Sequence, residues 1–72
     1  MMPDPVYKLI ELVGTSQNSI SDAIENAIAR ANVSLRNLGW FEVTQIRGSL
    51  ENGVIKDYQV AVKAGFKLED TE

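Results

Sequence analysis

The chain has 72 residues, no cysteine, no histidine and a formal net charge of −3. A domain of this length buries only about 60% of the surface that its unfolded chain exposes, so it needs a further source of stability. The lack of cysteine excludes disulfides and thiolate metal sites, and the lack of histidine removes the commonest general base and metal ligand. With 44% hydrophobic residues, enough for a core and an interface, we expect a single domain, residues 1–72, stabilised by assembly with copies of itself.

The distribution of charge and apolar residues excludes two classes of partner. The seven lysines and arginines are scattered, whereas nucleic-acid binding requires a clustered cationic surface. No apolar run approaches the roughly 18–20 residues that a membrane span requires. Residues 1–5 lack the basic and then apolar pattern of a signal peptide. We therefore expect a cytoplasmic protein that binds neither nucleic acid nor membrane.

The first predicted strand spans Val6–Val13 and follows a flexible start, residues 1–5, in which two prolines prevent regular pairing. Apolar residues lie on both of its faces: Leu9 and Val13 on one, Ile10 and Leu12 on the other. A single helix can cover only one face of a strand. The pattern therefore indicates contact with a partner chain.

An amphipathic helix follows, with Ser16 or Ser19 as its N-cap and Gly39 at its end. We expect Gly14-Thr15-Ser16 to break the strand before it. Apolar residues at steps of three and four form one stripe: Ile20, Ala23, Ile24, Ala27, Ile28, Ala31, Leu35 and Leu38. The small alanines of this stripe let the helix lie close to a sheet. The helix start suits a bound phosphate, but capping alone explains its serines.

Two longer strands are predicted at Trp40–Leu50 and Val54–Leu68, before an acidic tail, residues 69–72. Asn52-Gly53 between the strands is the strongest short-range signal for a two-residue hairpin turn. The element order is then strand, helix, strand, strand. It predicts an α+β fold in which a three-stranded antiparallel sheet, with the last strand in the centre, wraps around one helix.

The turn predicts which side chains share a face of the hairpin. One face, which should receive the helix, carries the pairs Phe41–Ala64, Val43–Val62, Gln45–Val60 and Arg47–Tyr58. The other face carries the pairs Trp40–Gly65, Glu42–Lys63, Thr44–Ala61 and Ile46–Gln59. A tryptophan that stands over a glycine, away from the helix, indicates either a ligand or a subunit interface. The pattern alone favours neither.

Trp40 and Gln59 lie about 20 Å apart along the predicted sheet, at about 3.3 Å per residue. A three-ring aromatic cofactor is about half that length. If both residues touch one cofactor, they come from different chains, unless a bulge or a bend shortens the path. Binding would then depend on assembly.

Five segments carry a recognisable pattern: Val13-Gly14-Thr15-Ser16, Trp40-Phe41-Glu42-Val43, Ile46-Arg47-Gly48, Tyr58-Gln59-Val60 and Gly65-Phe66-Lys67-Leu68-Glu69. In this order and at this spacing they resemble the dodecins, small bacterial and archaeal flavoproteins. The likeness covers the chain from Val6 to Asp70. It implies the same strand and helix order, a hollow homododecamer with trimeric and two-fold contacts, and flavins (FMN, riboflavin or FAD) bound in stacked pairs near two-fold axes.

The resemblance also implies roles for four residues. Trp40 matches the tryptophan that stacks on the isoalloxazine, and Gln59 matches the glutamine that hydrogen-bonds its pyrimidine edge. Arg47 matches an arginine near the phosphate end of the ligand or in the channel system. In the predicted register it faces the helix side beside Tyr58, where an ion pair with a helix carboxylate is the competing role. Lys67 stands where an arginine linked to coenzyme A often occurs. A lysine keeps that charge but lacks the planar fork.

No nucleophile with a base partner and no pair of carboxylates in an apolar pocket is evident, so we expect no catalysis. A flavin stacked on both faces leaves no face for hydride transfer. The resemblance therefore implies a non-catalytic flavin store or buffer. Two alternatives remain: a structural or adaptor homo-oligomer with Trp40 in its interface, and a weak flavin-dependent reductase.

Overall fold

The computed structural model describes residues 4–68. Its elements, in chain order, are strand β1 (Tyr7–Ser16), helix α1 (Ile20–Ser34), strand β2 (Leu38–Glu51) and strand β3 (Val54–Lys67). The strands form one antiparallel sheet in the order β1-β3-β2, so the predicted fold with the last strand in the centre is confirmed. Residues 1–3 of the predicted start and the predicted acidic tail, 69–72, lie outside the described residues.

The tight turn between β2 and β3 forms where the sequence predicts it. Asn52 and Gly53 have φ values of 54° and 77°, both in the left-handed region that a type I′ turn requires. Glu51 pairs with Val54 directly beside this turn, as expected. The start of the hairpin register is therefore confirmed.

The sequence predicts that the first strand ends at Val13, but β1 continues through Gly14 to Ser16. Gly14 lies directly beneath the helix, where an added Cβ would overlap the carbonyl oxygen of Ala23 and lie 2.9 Å from the Cβ of Ala27. The glycine therefore does not interrupt the strand. It allows the helix backbone to approach the sheet closely.

Ser16 and Ser19 organise the passage from β1 into the helix. Ser19 is the N-cap, and its hydroxyl oxygen accepts a hydrogen bond of 3.0 Å from the N–H of Asp22. The buried hydroxyl of Ser16 accepts from the N–H of Asn18 at 2.8 Å and donates to the Asp22 carboxylate at 2.7 Å. These hydrogen bonds engage the Ser16 hydroxyl at the helix start, which agrees with the interpretation that its serines serve in capping.

The helix ends earlier than predicted, at Ser34 and not at Gly39. The N–H of Leu35 donates to the carbonyl of Ala31 at 3.0 Å, after which the chain leaves the helix. Asn37 then adopts a φ of 63°, a conformation that asparagine tolerates better than most residues. The last residue of the predicted apolar stripe, Leu38, therefore lies beyond the helix and belongs to β2.

The helix covers β1 and β3 and leaves the inner face of β2 largely open. Ala23 and Ala27 of the helix pack on Val60 and Val62 of β3 to form the core. On β2, by contrast, Phe41 is 50% exposed. The prediction that the helix covers the inner face of the hairpin is therefore right for β3 and wrong for β2. An open groove of about 560 Å³ runs between the helix and β2.

The described part of the chain contains no helix with the length and apolar character needed to cross a membrane.

Candidate functional site

Two irregularities in the pairing of β2 with β3 decide which polar side chains share the outer face of the sheet, the face away from the helix. The register follows the prediction beside the turn and near Trp40, but between them it is displaced by one residue, because β3 carries an extra residue at Lys56 and β2 carries one at Thr44. In this displaced segment Arg47 pairs with Gln59 and not with Tyr58. A shift of one residue turns side chains to the opposite face. The prediction that Arg47 faces the helix is therefore wrong, and Arg47 lies beside Gln59 on the outer face.

The displaced register exchanges two further side chains between the faces. Gln45, predicted to face the helix, pairs with Ala61 on the outer face. Ile46, predicted opposite Gln59 on the outer face, pairs with the buried Val60 on the helix side. The outer face around Gln59 is consequently more polar than the uninterrupted register implies.

Trp40 lies on the outer face, as predicted, and its indole rests on Gly65 of the neighbouring strand. An added Cβ at Gly65 would overlap the indole Cε2 and lie 2.8 Å from Nε1, so only glycine leaves room for this position of the ring. The ring of Tyr7 lies beside it, with centroids 6.4 Å apart and planes tilted by 55°. Trp40 remains 43% exposed. We call Tyr7, Trp40 and Gly65 the aromatic platform.

A second feature of the outer face, the polar cluster, consists of Gln45, Arg47, Ser49, Asp57 and Gln59. Arg47 Nε donates to Gln59 Oε1 at 2.9 Å, and Arg47 Nη1 lies 3.4 Å from Gln45 Oε1. Ser49 Oγ donates to Asp57 Oδ1 at 2.6 Å. Gln59 Nε2 lies 3.5 Å from the same carboxylate oxygen. The amide of Gln59 thus lies between a guanidinium and a carboxylate.

Asp57 carries the negative charge of this cluster. The hydrogen bond from the Ser49 hydroxyl is the main cause that lowers the pKa of the Asp57 carboxyl below its ordinary value, with smaller contributions from Gln59 and Lys56 in the same direction. Partial burial opposes them. An aspartate carboxyl is ionised at neutral pH, where it acts only as a hydrogen-bond acceptor, and the lowered pKa keeps Asp57 in this form at more acidic pH as well.

Lys67 lies at the opposite end of β3 from the polar cluster. It pairs with Tyr7 of the aromatic platform, and its N–H donates to the carbonyl of Asn37 at 3.2 Å. Residues at this end line a small cavity of about 160 Å³: Arg36, Asn37, Phe66, Lys67 and Leu68. Lys67 therefore adds a cation beside the aromatic platform.

The structure does not bring the four predicted site residues together within one chain. Trp40 and Lys67 lie at one end of the outer face, and Arg47 and Gln59 lie at the other. Gly65, which supports the indole, is six residues from Gln59 along β3, or about 20 Å at about 3.3 Å per residue. The displaced register changes the face of Arg47 but does not remove this separation.

The sequence does not predict three residues of these two features: Tyr7, Ser49 and Asp57. In the predicted register Asp57 would face Gly48, whereas the register shift between Ser49 and Leu50 places it opposite Ser49. Tyr7 joins the platform through the pairing of β1 with β3, for which no turn fixes the register in advance. Within residues 4–68, no three acidic side chains converge in a way that would hold a metal ion.

The Gly65→Ala substitution tests the contact between the indole and β3. The added methyl group should lift the indole off the strand and reduce the free energy of unfolding by about 1–3 kcal/mol. Since Trp40 is the single tryptophan, its emission should shift to longer wavelength as the ring gains water. The matched control is Gly39→Ala. Its added Cβ would lie 3.7 Å from the nearest atom, which belongs to the side chain of Tyr7. Emission unchanged in Gly65→Ala would contradict the described platform.

The fold and this surface define a class: a small β-α-β-β protein with an aromatic platform and a polar cluster on the open face of its sheet. The family model described as Dodecin matches residues 6–69. The dodecin of Thermus thermophilus is 52% identical over 66 residues, which cover 92% of this chain and 96% of that relative. The chain therefore belongs to the dodecin family, and the resemblance stated from the sequence is confirmed.

Solved structures agree with this assignment. A crystal structure of a Thermus thermophilus protein matches with a TM-score of 0.90 and 50% identity, over 94% of this chain and 100% of that one. Dodecin from Streptomyces coelicolor matches with a TM-score of 0.90 and 46% identity, over 97% and 100%. A Mycobacterium tuberculosis protein, described as a calcium dodecin with a calcium-binding site, matches with a TM-score of 0.78 and 28% identity, over 93% and 96%.

Proposed function

We propose that this protein binds flavins without catalysing a reaction and serves as a flavin store or buffer in the cytoplasm. The observation that carries the proposal is the position of Trp40, whose indole rests on Gly65 while the residue stays 43% exposed on the outer face. An indole is electron-rich and an isoalloxazine is electron-poor, so the two rings stack favourably face to face. A ring supported from behind loses little freedom when a ligand stacks on it.

Gln59 is the proposed hydrogen-bonding partner of the flavin. Its side chain offers an acceptor and two donors, which suit the alternating carbonyl and N–H groups of the pyrimidine edge. Arg47, held against Gln59 at 2.9 Å, supplies a cation for a phosphate-bearing flavin such as FMN or FAD. Because Trp40 and Gln59 are about 20 Å apart along the sheet, they cannot contact one ring system from the same chain. The proposed site is therefore shared between two copies.

Exposed apolar surface supports assembly with other copies, and the form proposed is the homododecamer with trimeric and two-fold contacts that the family resemblance implies. On the helix side of β2, Phe41 and Ile46 are 50% and 55% exposed. Three apolar residues near the hairpin turn are also exposed: Leu50, Val54 and Ile55. A domain this small is unstable with so much apolar surface in water, and other copies are the proposed cover.

A two-fold axis in this assembly would bring together two copies of Trp40, with space for two stacked flavins between them. Each flavin would then have one face on an indole and the other on its neighbour. A hydride donor could reach neither face, which is why storage is proposed and a reductase is not. Coenzyme A is proposed as a second ligand only at Lys67, whose ammonium lacks the bidentate fork of arginine.

A fluorescence titration tests the proposed function. Riboflavin emission at fixed concentration should fall as purified protein is added, because electron transfer from the indole quenches the stacked flavin. The end point should lie at one flavin per subunit. Unchanged emission would support the structural or adaptor oligomer, in which Trp40 is buried between subunits. Steady oxidation of NADH by the flavin-loaded protein would contradict the storage role and support a reductase.

A further inference from the structure

The side-chain amide of Gln59 has one orientation that its neighbours favour. Its carbonyl oxygen faces the guanidinium of Arg47 at 2.9 Å, and its NH₂ group faces the carboxylate of Asp57 at 3.5 Å. Rotation of the amide by half a turn would direct its oxygen at the carboxylate and its NH₂ group at the guanidinium. Both contacts would then be repulsive. The two charged neighbours therefore select one orientation.

The carboxylate of Asp57 is itself fixed in place. Ser49, directly opposite on β2, donates to its Oδ1 at 2.6 Å, a short charge-assisted hydrogen bond. The same oxygen lies nearest the NH₂ group of Gln59. Ser49, Asp57, Gln59 and Arg47 thus form one continuous chain of contacts across β2 and β3. Charge at both ends of the amide makes its NH₂ group a better donor and its carbonyl a better acceptor.

The fixed amide still has capacity to bind a ligand. A carbonyl oxygen has two lone pairs, and Arg47 Nε uses one of them. The NH₂ group has two hydrogens, and Asp57 takes at most one. One acceptor site and one donor remain side by side. This is the pattern that pairs with an N–H adjacent to a carbonyl, as at N3 of a flavin and its flanking carbonyl groups.

We infer that Asp57 and Ser49 are positioning residues that fix the Gln59 amide, so that the site selects flavins with an unsubstituted N3–H. The inference rests on the proposed flavin binding and deepens it. Asp57 and Ser49 need not touch the ligand. Their effect passes through Gln59, which would accept from N3–H and donate to the adjacent carbonyl. Loss of either residue should weaken this recognition without removing the aromatic platform.

The test compares riboflavin with 3-methylriboflavin, which carries a methyl group in place of the N3 hydrogen. Dissociation constants are measured by flavin fluorescence with wild type, Asp57→Asn and Ser49→Ala, after size-exclusion chromatography has compared their assembly. Asp57→Asn removes the charge and keeps the shape. The matched control is Glu51→Gln, which removes one carboxylate near the hairpin turn from an exposed position outside the polar cluster. Riboflavin carries no charge, so the control should not change its affinity.

We expect Asp57→Asn to weaken riboflavin binding by about fivefold, in keeping with the loss of one charge-assisted hydrogen bond. Ser49→Ala should weaken it by about twofold. For both variants, the preference of wild type for riboflavin over 3-methylriboflavin should shrink by the same factor. Riboflavin affinity within the error of wild type in Asp57→Asn overturns the inference, as does an equal loss for both flavins.

Three outcomes separate failure of the inference from failure of the proposed function. If Asp57→Asn does not assemble, Ser49→Ala alone decides: a reduced preference for riboflavin supports the inference and an unchanged preference overturns it. If wild type binds riboflavin and Asp57→Asn binds it equally well, only the positioning role fails. If wild type binds neither flavin, the proposed function fails and this inference fails with it.

Discussion

Replacement of Trp40 with alanine should weaken riboflavin binding by about 10- to 100-fold, since stacking of a flat heterocycle on an aromatic side chain is worth about 1–3 kcal/mol. The expected loss is large because the indole already rests on Gly65 with its ring in place. Alanine would leave no aromatic ring at this position for the flavin to stack on. Affinity is best measured by equilibrium dialysis, because the loss of quenching alone does not distinguish an unbound flavin from one bound without an electron donor.

The matched variant is Trp40→Phe, which keeps a flat ring on Gly65 and removes the electron-rich indole. It should retain most of the affinity and lose most of the quenching, thereby separating stacking from electron transfer. Size-exclusion chromatography must show the same assembly for both variants and wild type. Riboflavin affinity of Trp40→Ala within a factor of two of wild type would contradict the role proposed for the aromatic platform.

Replacement of Gly14 with alanine should destabilise the fold by about 3 kcal/mol, at the upper end of the usual cost of overpacking a core. The added Cβ would overlap the carbonyl oxygen of Ala23, which belongs to the helix backbone and cannot rotate away. The helix would have to move off the sheet and open the contact of Ala27 with the core. The midpoint of denaturant unfolding measures this loss.

Gly39→Ala is the control for this substitution, because its added Cβ would meet only ordinary van der Waals contacts. It should unfold within about 0.5 kcal/mol of wild type, as surface substitutions usually do. Comparable stability of Gly14→Ala and Gly39→Ala would contradict the close packing of helix and sheet described here.

The features that the sequence predicts correctly depend on local chemistry. Asn52 and Gly53 together specify a type I′ turn, and the turn fixes the first pairs of the hairpin. From Trp40 to Val43 the register agrees with the prediction, which places the indole on the uncovered face. These elements are predictable because each follows from a conformation that few residues adopt, or from strict alternation along a strand.

The predictions are wrong where the local sequence permits two conformations equally well. The extra residues at Thr44 and Lys56 carry no residue signal of their own, since a bulge needs neither glycine nor proline. Together they nevertheless reverse the face of Arg47 and so assemble the polar cluster. The end of the helix is a similar case, because Asn37 and Gly39 both suit the left-handed conformation and only the former adopts it. Long-range packing decides such positions.

The central claim is that the flavin site is completed only by a second copy of the chain. Native mass spectrometry of the protein incubated with riboflavin tests this claim most directly. We predict a twelve-subunit species that carries up to one riboflavin per subunit, and dissociated single chains in the same spectrum that carry none. Single chains that hold riboflavin at the same occupancy as the assembly would contradict the account, since they would place Trp40 and every other contact needed for binding within one subunit.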